Sequence, residues 1–143
     1  MSYSLAFSQA IMTVLFVGDK VDQGFYDFVP TKEISDSLNI ARPTAVKILG
    51  NLASAGIIET REGAKGGVRL ALPPANVTIL DIFAAIETGK PLFRHDFELR
   101  VTGEKPTRAQ QAVLSILNDA ETTMKNQLSQ TTIAELLTGI NAP

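Results

Sequence analysis

The sequence predicts a mainly α-helical fold with a small β-hairpin wing: a winged helix-turn-helix followed by a long dimerisation helix. Three observations predict it. Residues 31–72 read in order as a helix, a turn, a second helix and a hairpin, the order in which a winged helix-turn-helix offers its second helix to the major groove of DNA. The hairpin closes on Gly63-Ala64-Lys65-Gly66-Gly67, a glycine-rich tip that carries a cation. Farther on, apolar residues recur at helical spacing along residues 107–129.

Residues 4–18 hold Leu5, Ala6, Ile11, Met12, Leu15 and Phe16 at helical spacing, and Gly18-Asp19 is the expected stop. Residues 20–30 read as a loop or broken strand. Their Phe25, Tyr26, Phe28 and Val29 are expected to pack on the core rather than on a partner. Thr31 is placed as the N-cap of the next helix, with Glu33 in its first turn, where the helix dipole favours an anion. Ile34 and Leu38 face inward, and Asn39-Ile40-Ala41 makes the turn. Arg42-Pro43 opens the second helix, because proline's missing N–H has no partner in a first turn. Ala45, Ile48, Leu49, Leu52 and Ala53 form its apolar stripe, while Thr44, Lys47 and Asn51 fall on the other face. Gly56 ends it as a C′ residue.

Residues 57–61 and 68–72 alternate and are joined by a loop longer than a two-residue turn, as a wing needs. Pro73-Pro74 stops the second strand. Thr78 caps a helix from Ile79 to about Thr88, with Asp81 placed as in a capping box and with Leu80, Ile82, Phe83 and Ile86 as its apolar face. Residues 89–106 are irregular. Residues 107–129 form the long helix, entered through a Thr107–Gln110 capping box and ~35 Å long. Its stripe of Ala109, Val113, Ile116, Leu117, Ala120, Met124 and Leu128 exceeds what a small winged helix needs for its own core. Dimerisation through Val113, Ile116, Leu117, Ala120 and Met124 is the expectation; a core helix folded back on the monomer is the alternative. Thr132-Ile133-Ala134-Glu135 fits another capping box and starts a short last helix through Leu137. The chain divides into residues 1–89, the winged helix-turn-helix unit, and residues 90–143, which hold a linker, the long helix and the short C-terminal helix.

A hydrophobic fraction of 45% over 143 residues supports one cored domain with an appended arm. No apolar run reaches the ~18 residues of a membrane span, and the N-terminus lacks the basic and small-residue pattern of a signal peptide. The cytoplasm is the default compartment. The absence of cysteine excludes disulfides, thiol redox sensing, thiolate zinc sites and ordinary iron–sulfur clusters, and no cofactor is expected. The net charge of −2 is unevenly spread: residues 41–69 hold five basic and two acidic residues, a net of +3, against −5 elsewhere. A local positive field on an acidic body can select a docking face.

Thr44 and Lys47 are candidates for base edges, and Arg42 reaches either a base or a phosphate. Asn51, farther along, suits a phosphate or stands as a solvated surface residue. Lys65 and Arg69 belong to the wing, near phosphates or the minor groove, with Arg61 on the other wing strand. Gly66 and Gly67 supply backbone freedom at the tip. No catalytic site is expected: the chain has no phosphate loop, no Cys/His pair, no H-E-x-x-H and no nucleophile elbow. His95 is the lone histidine and reads as a solvated side chain rather than a metal ligand.

The wing Gly63-Ala64-Lys65-Gly66-Gly67-Val68-Arg69-Leu70-Ala71 resembles that of the bacterial Rrf-two type (IscR/NsrR-like) winged-helix regulators. These include iron–sulfur-cluster and nitric-oxide responsive repressors. The resemblance continues through Val77-Thr78-Ile79-Leu80-Asp81-Ile82 to Glu87, and into the tail Thr131-Thr132-Ile133-Ala134-Glu135-Leu136. Upstream it includes Glu33-Ile34, Lys47-Ile48-Leu49 and Ala55-Gly56-Ile57-Ile58. It implies a homodimeric transcriptional regulator, a repressor, crossed through the long helix and bound to a palindromic operator. Two departures stand out. The three cysteines that cluster-holding relatives carry before the long helix are missing, and residues 20–30 are longer and more aromatic than the family's usual connection. Partners implied are double-stranded DNA, a second copy of the chain and, where a cleft exists, an unnamed small-molecule effector. The other reading is a winged helix that contacts only protein.

Overall fold

The computed structural model describes residues 5–89 and 91–143. Ser4, the expected start of the first helix, and Lys90, the expected start of the linker, lie outside the described residues, as does Met1.

Helix α1, Leu5–Asp22, buries Ala10, Thr13, Val14, Val17 and Gly18. It runs on past Gly18-Asp19, the stop expected from sequence. The reason is packing. A side chain at Gly18 would meet Leu70 Cδ1 at 3.3 Å and Leu137 Cδ1 at 3.4 Å, so the missing Cβ lets two other elements close on the helix. The segment that follows is a broken strand: Val29 and Val68 exchange backbone hydrogen bonds of 2.7 and 2.9 Å. Phe28 and Val29 are buried there, whereas Phe25 is 64% exposed and packs under Lys20 instead of entering the core.

Helix α2, Thr31–Leu38, is capped at Pro30 and not at Thr31. Proline's extended backbone already places its carbonyl to accept from Ile34 N–H, so Thr31 becomes the first helical residue. Asn39 takes a left-handed conformation, and the Ser35 hydroxyl donates to the Ile40 carbonyl at 2.6 Å, which fastens the turn. Helix α3, Arg42–Ser54, begins with Pro43 in its first turn and buries Ala45, Ile48, Leu49 and Leu52; Gly56, at φ +77°, follows its end. Strands β1, Ile58–Arg61, and β2, Gly67–Leu70, pair antiparallel in the register Ile58 to Leu70 and Arg61 to Gly67. Ile58 and Val68 face the core.

After a short 3-10 turn, Pro74–Asn76, helix α4 spans Ile79–Ile86. Its capping box forms as expected: Asp81 N–H donates to Thr78 Oγ1 at 3.1 Å, and Thr78 N–H donates to Asp81 Oδ2 at 2.9 Å. The helix buries Ile79, Ile82, Phe83 and Ala85, and Phe83 meets Phe7 of α1 edge-on.

Helix α5, Glu104–Leu128, starts earlier than the expected Thr107. Pro106 fits within a first turn, and Gly103 precedes the helix. Thr107 is therefore internal: its hydroxyl donates to the Gly103 carbonyl at 2.9 Å and forms no capping box with Gln110. The helix is ~37 Å long. Among the described residues none on α5 is buried. Leu114, Leu117, Met124 and Leu128 are half-buried, while Val113 is 50% and Ile116 66% exposed.

Helix α6, Ile133–Ile140, runs beyond the expected Leu137. Thr132 caps it by accepting from Glu135 N–H at 3.1 Å. Ile133 is fully buried in the main core, its N–H donating to the Val77 carbonyl at 2.8 Å, and Ile79 N–H donates to Thr131 at 3.0 Å. Thr78 and Thr132 thus sit opposite one another in an antiparallel bridge. The two capping residues start α4 and α6 side by side.

Candidate nucleic-acid interface

The outer side of α3 follows from its buried stripe. Lys47 and Gly50 lie opposite Ala45, Ile48, Leu49 and Leu52, and both are exposed. Thr44 and Asn51 form one flank and are half-buried; Asn51 lines a groove of about 560 Å³ that also takes in Ser54, Leu72, Asp81 and Thr88. Val46 and Ala53 form the other flank, toward the wing. Together with Gly50, Thr60 and Arg61 they line a second groove of about 400 Å³. Arg42 stands exposed at the start of the helix. Val46 and Gly50 were given no role from the sequence, which assigned only the stripe and the polar positions Thr44, Lys47 and Asn51. The available signal was angular: position 46 lies about 100° round the helix from position 45.

On the wing, Lys65 is exposed at the tip. Among the described residues no carboxylate pairs with Arg42, Lys47 or Lys65, whereas Arg61 and Arg69 are both engaged. Arg69 Nε donates to Glu59 Oε1 at 2.5 Å and its Nη1 lies 3.5 Å from Asp27 Oδ1. Arg61 Nη1 lies 3.5 Å from Asp27 Oδ2. Both guanidinium groups stack on the Phe28 ring, at 5.2 Å for Arg61 and 4.4 Å for Arg69. The hydrogen bond that Arg69 donates to Glu59, helped by the charges of Glu59 and Asp27, raises Arg69 above its ordinary pKa. The aromatic segment before α2 therefore supplies a ring and a carboxylate to the wing.

Gly66 and Gly67 do more than allow freedom at the tip. A Cβ at Gly66 would run into the Arg61 carbonyl, and one at Gly67 into the Val29 carbonyl. Gly67 also holds φ at +148°. Bareness at Gly66 lets the wing tip fold on its own backbone, and bareness at Gly67 lets the wing close against the Val29 segment.

In the stretch before α5, Arg94 donates to Asp96 at 2.8 Å and holds that carboxyl below its ordinary pKa. His95 is exposed beside it. The chain holds no cysteine, and among the described residues no group of three His, Asp or Glu side chains is placed to hold a metal ion. This donor set does not fit an iron–sulfur cluster. An apolar recess of about 250 Å³ lies between this stretch and α5, lined by His95, Phe97, Leu99, Val113 and Leu114.

The sequence profile of the Rrf2 family, described as iron-dependent transcriptional regulator, matches residues 3–139. The HTH-type transcriptional regulator YwgB of Bacillus subtilis (strain 168) is 32% identical over 74 residues, which is 48% of this chain and 47% of YwgB. The chain spans no more than about half the length of the curated relatives it matches. Among solved structures, T. potens IscR superposes with a TM-score of 0.71 at 17% identity, covering 99% of this chain and 89% of IscR. CymR (YrzC), the global cysteine regulator of B. subtilis, superposes at 0.68 with 20% identity, covering 96% of this chain and 97% of CymR. At these identities the structures share the fold.

Proposed function

The chain belongs to the Rrf2 family of transcriptional regulators, a family of regulators rather than enzymes, and from that premise we propose that it is a cytoplasmic, sequence-specific DNA-binding repressor. It acts as a homodimer on a palindromic operator and does so without an iron–sulfur cluster. The observation that carries this reading is the set of exposed cations Arg42, Lys47 and Lys65, which pair with no carboxylate among the described residues, on the recognition helix and wing of a chain that is acidic elsewhere. The exposure of that surface favours DNA over a purely protein-binding winged helix.

Residues 1–89 dock on the duplex and residues 90–143 pair the two chains. Thr44 and Lys47 face base edges, and Arg42 faces a base or a phosphate. Asn51 approaches a phosphate. Lys65, Gly66 and Gly67 bring the wing tip to the backbone or minor groove. Arg61 and Arg69 join them by exchanging Asp27 and Glu59 for phosphate oxygens. Val113, Ile116 and Ala120 meet the partner copy, with Leu117 and Met124 at the border of that contact. Phosphate contacts set affinity and base contacts set sequence, so the two groups should separate in a salt series.

The test begins by selecting bound duplexes from a random pool. Thr44→Ala and Lys47→Ala are then expected to lower the ratio of operator to random affinity, at a cost of about 1–3 kcal/mol on the operator. Lys65→Ala is expected to weaken both duplexes alike. A chain that shifts no duplex even at low salt would leave the protein-contact reading in its place.

A further inference from the structure

We propose that Val46 and Gly50 form an apolar notch on α3 that receives the 5-methyl group of a thymine in the operator's major groove. The inference rests on the DNA-binding reading and assigns it a base.

Val46 is 56% exposed. A single exposed apolar side chain is ordinary on a protein surface. What sets this one apart is its neighbour one turn on. A side chain at Gly50 would meet nothing within 4 Å, and Gly50 is absent from the positive-φ glycines. Neither packing nor backbone conformation asks for glycine there, although glycine is the poorest helix former after proline. Gly18 makes the contrast: it is also helical, but Leu70 and Leu137 occupy the space its side chain would take. The fold uses the bareness of Gly18 and has no use for that of Gly50. Its use lies outside the chain, in something that approaches the α3 backbone closely.

Charge identifies the visitor. Lys47 and Arg42 stand beside the notch, and Arg61 lies across the groove on the wing, so a polyanion is drawn to this face. In the major groove, thymine alone among the bases adds an apolar group to its edge; the other features are donors and acceptors that valine cannot satisfy. Valine is also stiff at χ1 in a helix, so its methyl groups are held in one place before contact. The absent side chain at Gly50 leaves room for the base edge beside them.

Deoxyuridine differs from thymidine only in lacking that methyl group. The experiment replaces each operator thymine in turn with deoxyuridine and measures binding by the wild-type chain and by Val46→Ala. The expected result is a loss of about fourfold per half-site at one symmetric position for the wild type, near the value of one buried methyl. Val46→Ala should bind the thymine operator about that much more weakly and ignore uracil at the same position. Gly50→Ala provides a second reading: it should melt roughly 2–5 °C higher and bind the operator about fivefold or more weakly, because its methyl group fills the approach. Uniform indifference to uracil in the wild type would overturn the proposal, as would undiminished uracil sensitivity in Val46→Ala or full operator affinity in Gly50→Ala. A wild-type chain that binds no duplex at all would instead overturn the DNA-binding reading itself.

Discussion

The guanidinium of Arg69 lies 4.4 Å from the centre of the Phe28 ring, which ties the second wing strand to the segment ahead of α2. Arg61 covers the same ring from the first strand, and Asp27 reaches both cations. The ring is left 9% exposed. The guanidinium groups of two wing arginines thus act as a lid on an aromatic residue, and their charges are already matched by carboxylates of the same chain.

Asp27→Asn should release part of that match. Random-duplex affinity is expected to rise, and the salt dependence to steepen by about one unit in log–log slope for each arginine freed to meet a phosphate. Titration of binding across a salt series checks this. An unchanged slope would mean that Arg61 and Arg69 serve only the wing. Phe28→Ala removes the ring itself and should cost about 3 kcal/mol of folding stability, read by denaturant unfolding.

Gly67→Ala is expected to destabilise the fold by about 2–4 kcal/mol, since the new methyl group collides with the Val29 carbonyl at a left-handed backbone position. Gly63 also has a positive φ, of +101°, but its surroundings are open. Gly63→Ala should therefore cost only about 1 kcal/mol. Denaturant midpoints of the two variants, compared at equal slope, separate collision from backbone strain.

Ile116→Glu should convert a species of twice the 15.4 kDa chain mass into a monomer. Ile116 is 66% exposed on the outer side of α5, so the substitution disturbs no internal packing. Sedimentation at micromolar concentration, with circular dichroism to confirm that the helices persist, is the measurement. A wild-type chain that sediments as a monomer would remove the pairing role of α5.

Thr78→Ala and Thr132→Ala should each cost about 1 kcal/mol through loss of a helix N-cap. Because the two residues meet in one bridge, the double variant is expected to depart from additivity by about 0.5 kcal/mol or more. Four unfolding curves complete the cycle.

Much of the order of elements was legible because local chemistry decided it. Pro43 could open α3 and Gly56 could follow it whatever the rest of the chain did, and Thr78 with Asp81 makes a cap from four consecutive residues. The errors fall where distant residues decide. Gly18 reads as a helix stop, but Leu70 and Leu137, far along the chain, turn it into a packing position. The misplaced start of α5 is local instead: Thr107 has the composition of a cap, yet the chain had already turned helical ahead of Pro106. The candidate surface divides in the same way. Lys47 and Lys65 could be placed from spacing and from the tip motif. The engagement of Arg69 by Glu59 and Asp27 depends on strand register and on a segment 42 positions away.

The return of the chain at Thr132 has a geometric consequence. Leu92, in the stretch ahead of α5, gives its N–H to Glu121 in the C-terminal half of that helix, and Ile133, just after it, sits in the core beside Val77. Helix α5 is thus pinned along its C-terminal half and cannot swing as a free arm. Two chains joined along it would hold their recognition helices like the points of a calliper set to one opening. Each base pair added between half-sites turns the far one by about 35° around the duplex axis. A pinned pair cannot follow that rotation, so such an operator would be measured by the length of its spacer as well as read by the letters on either side.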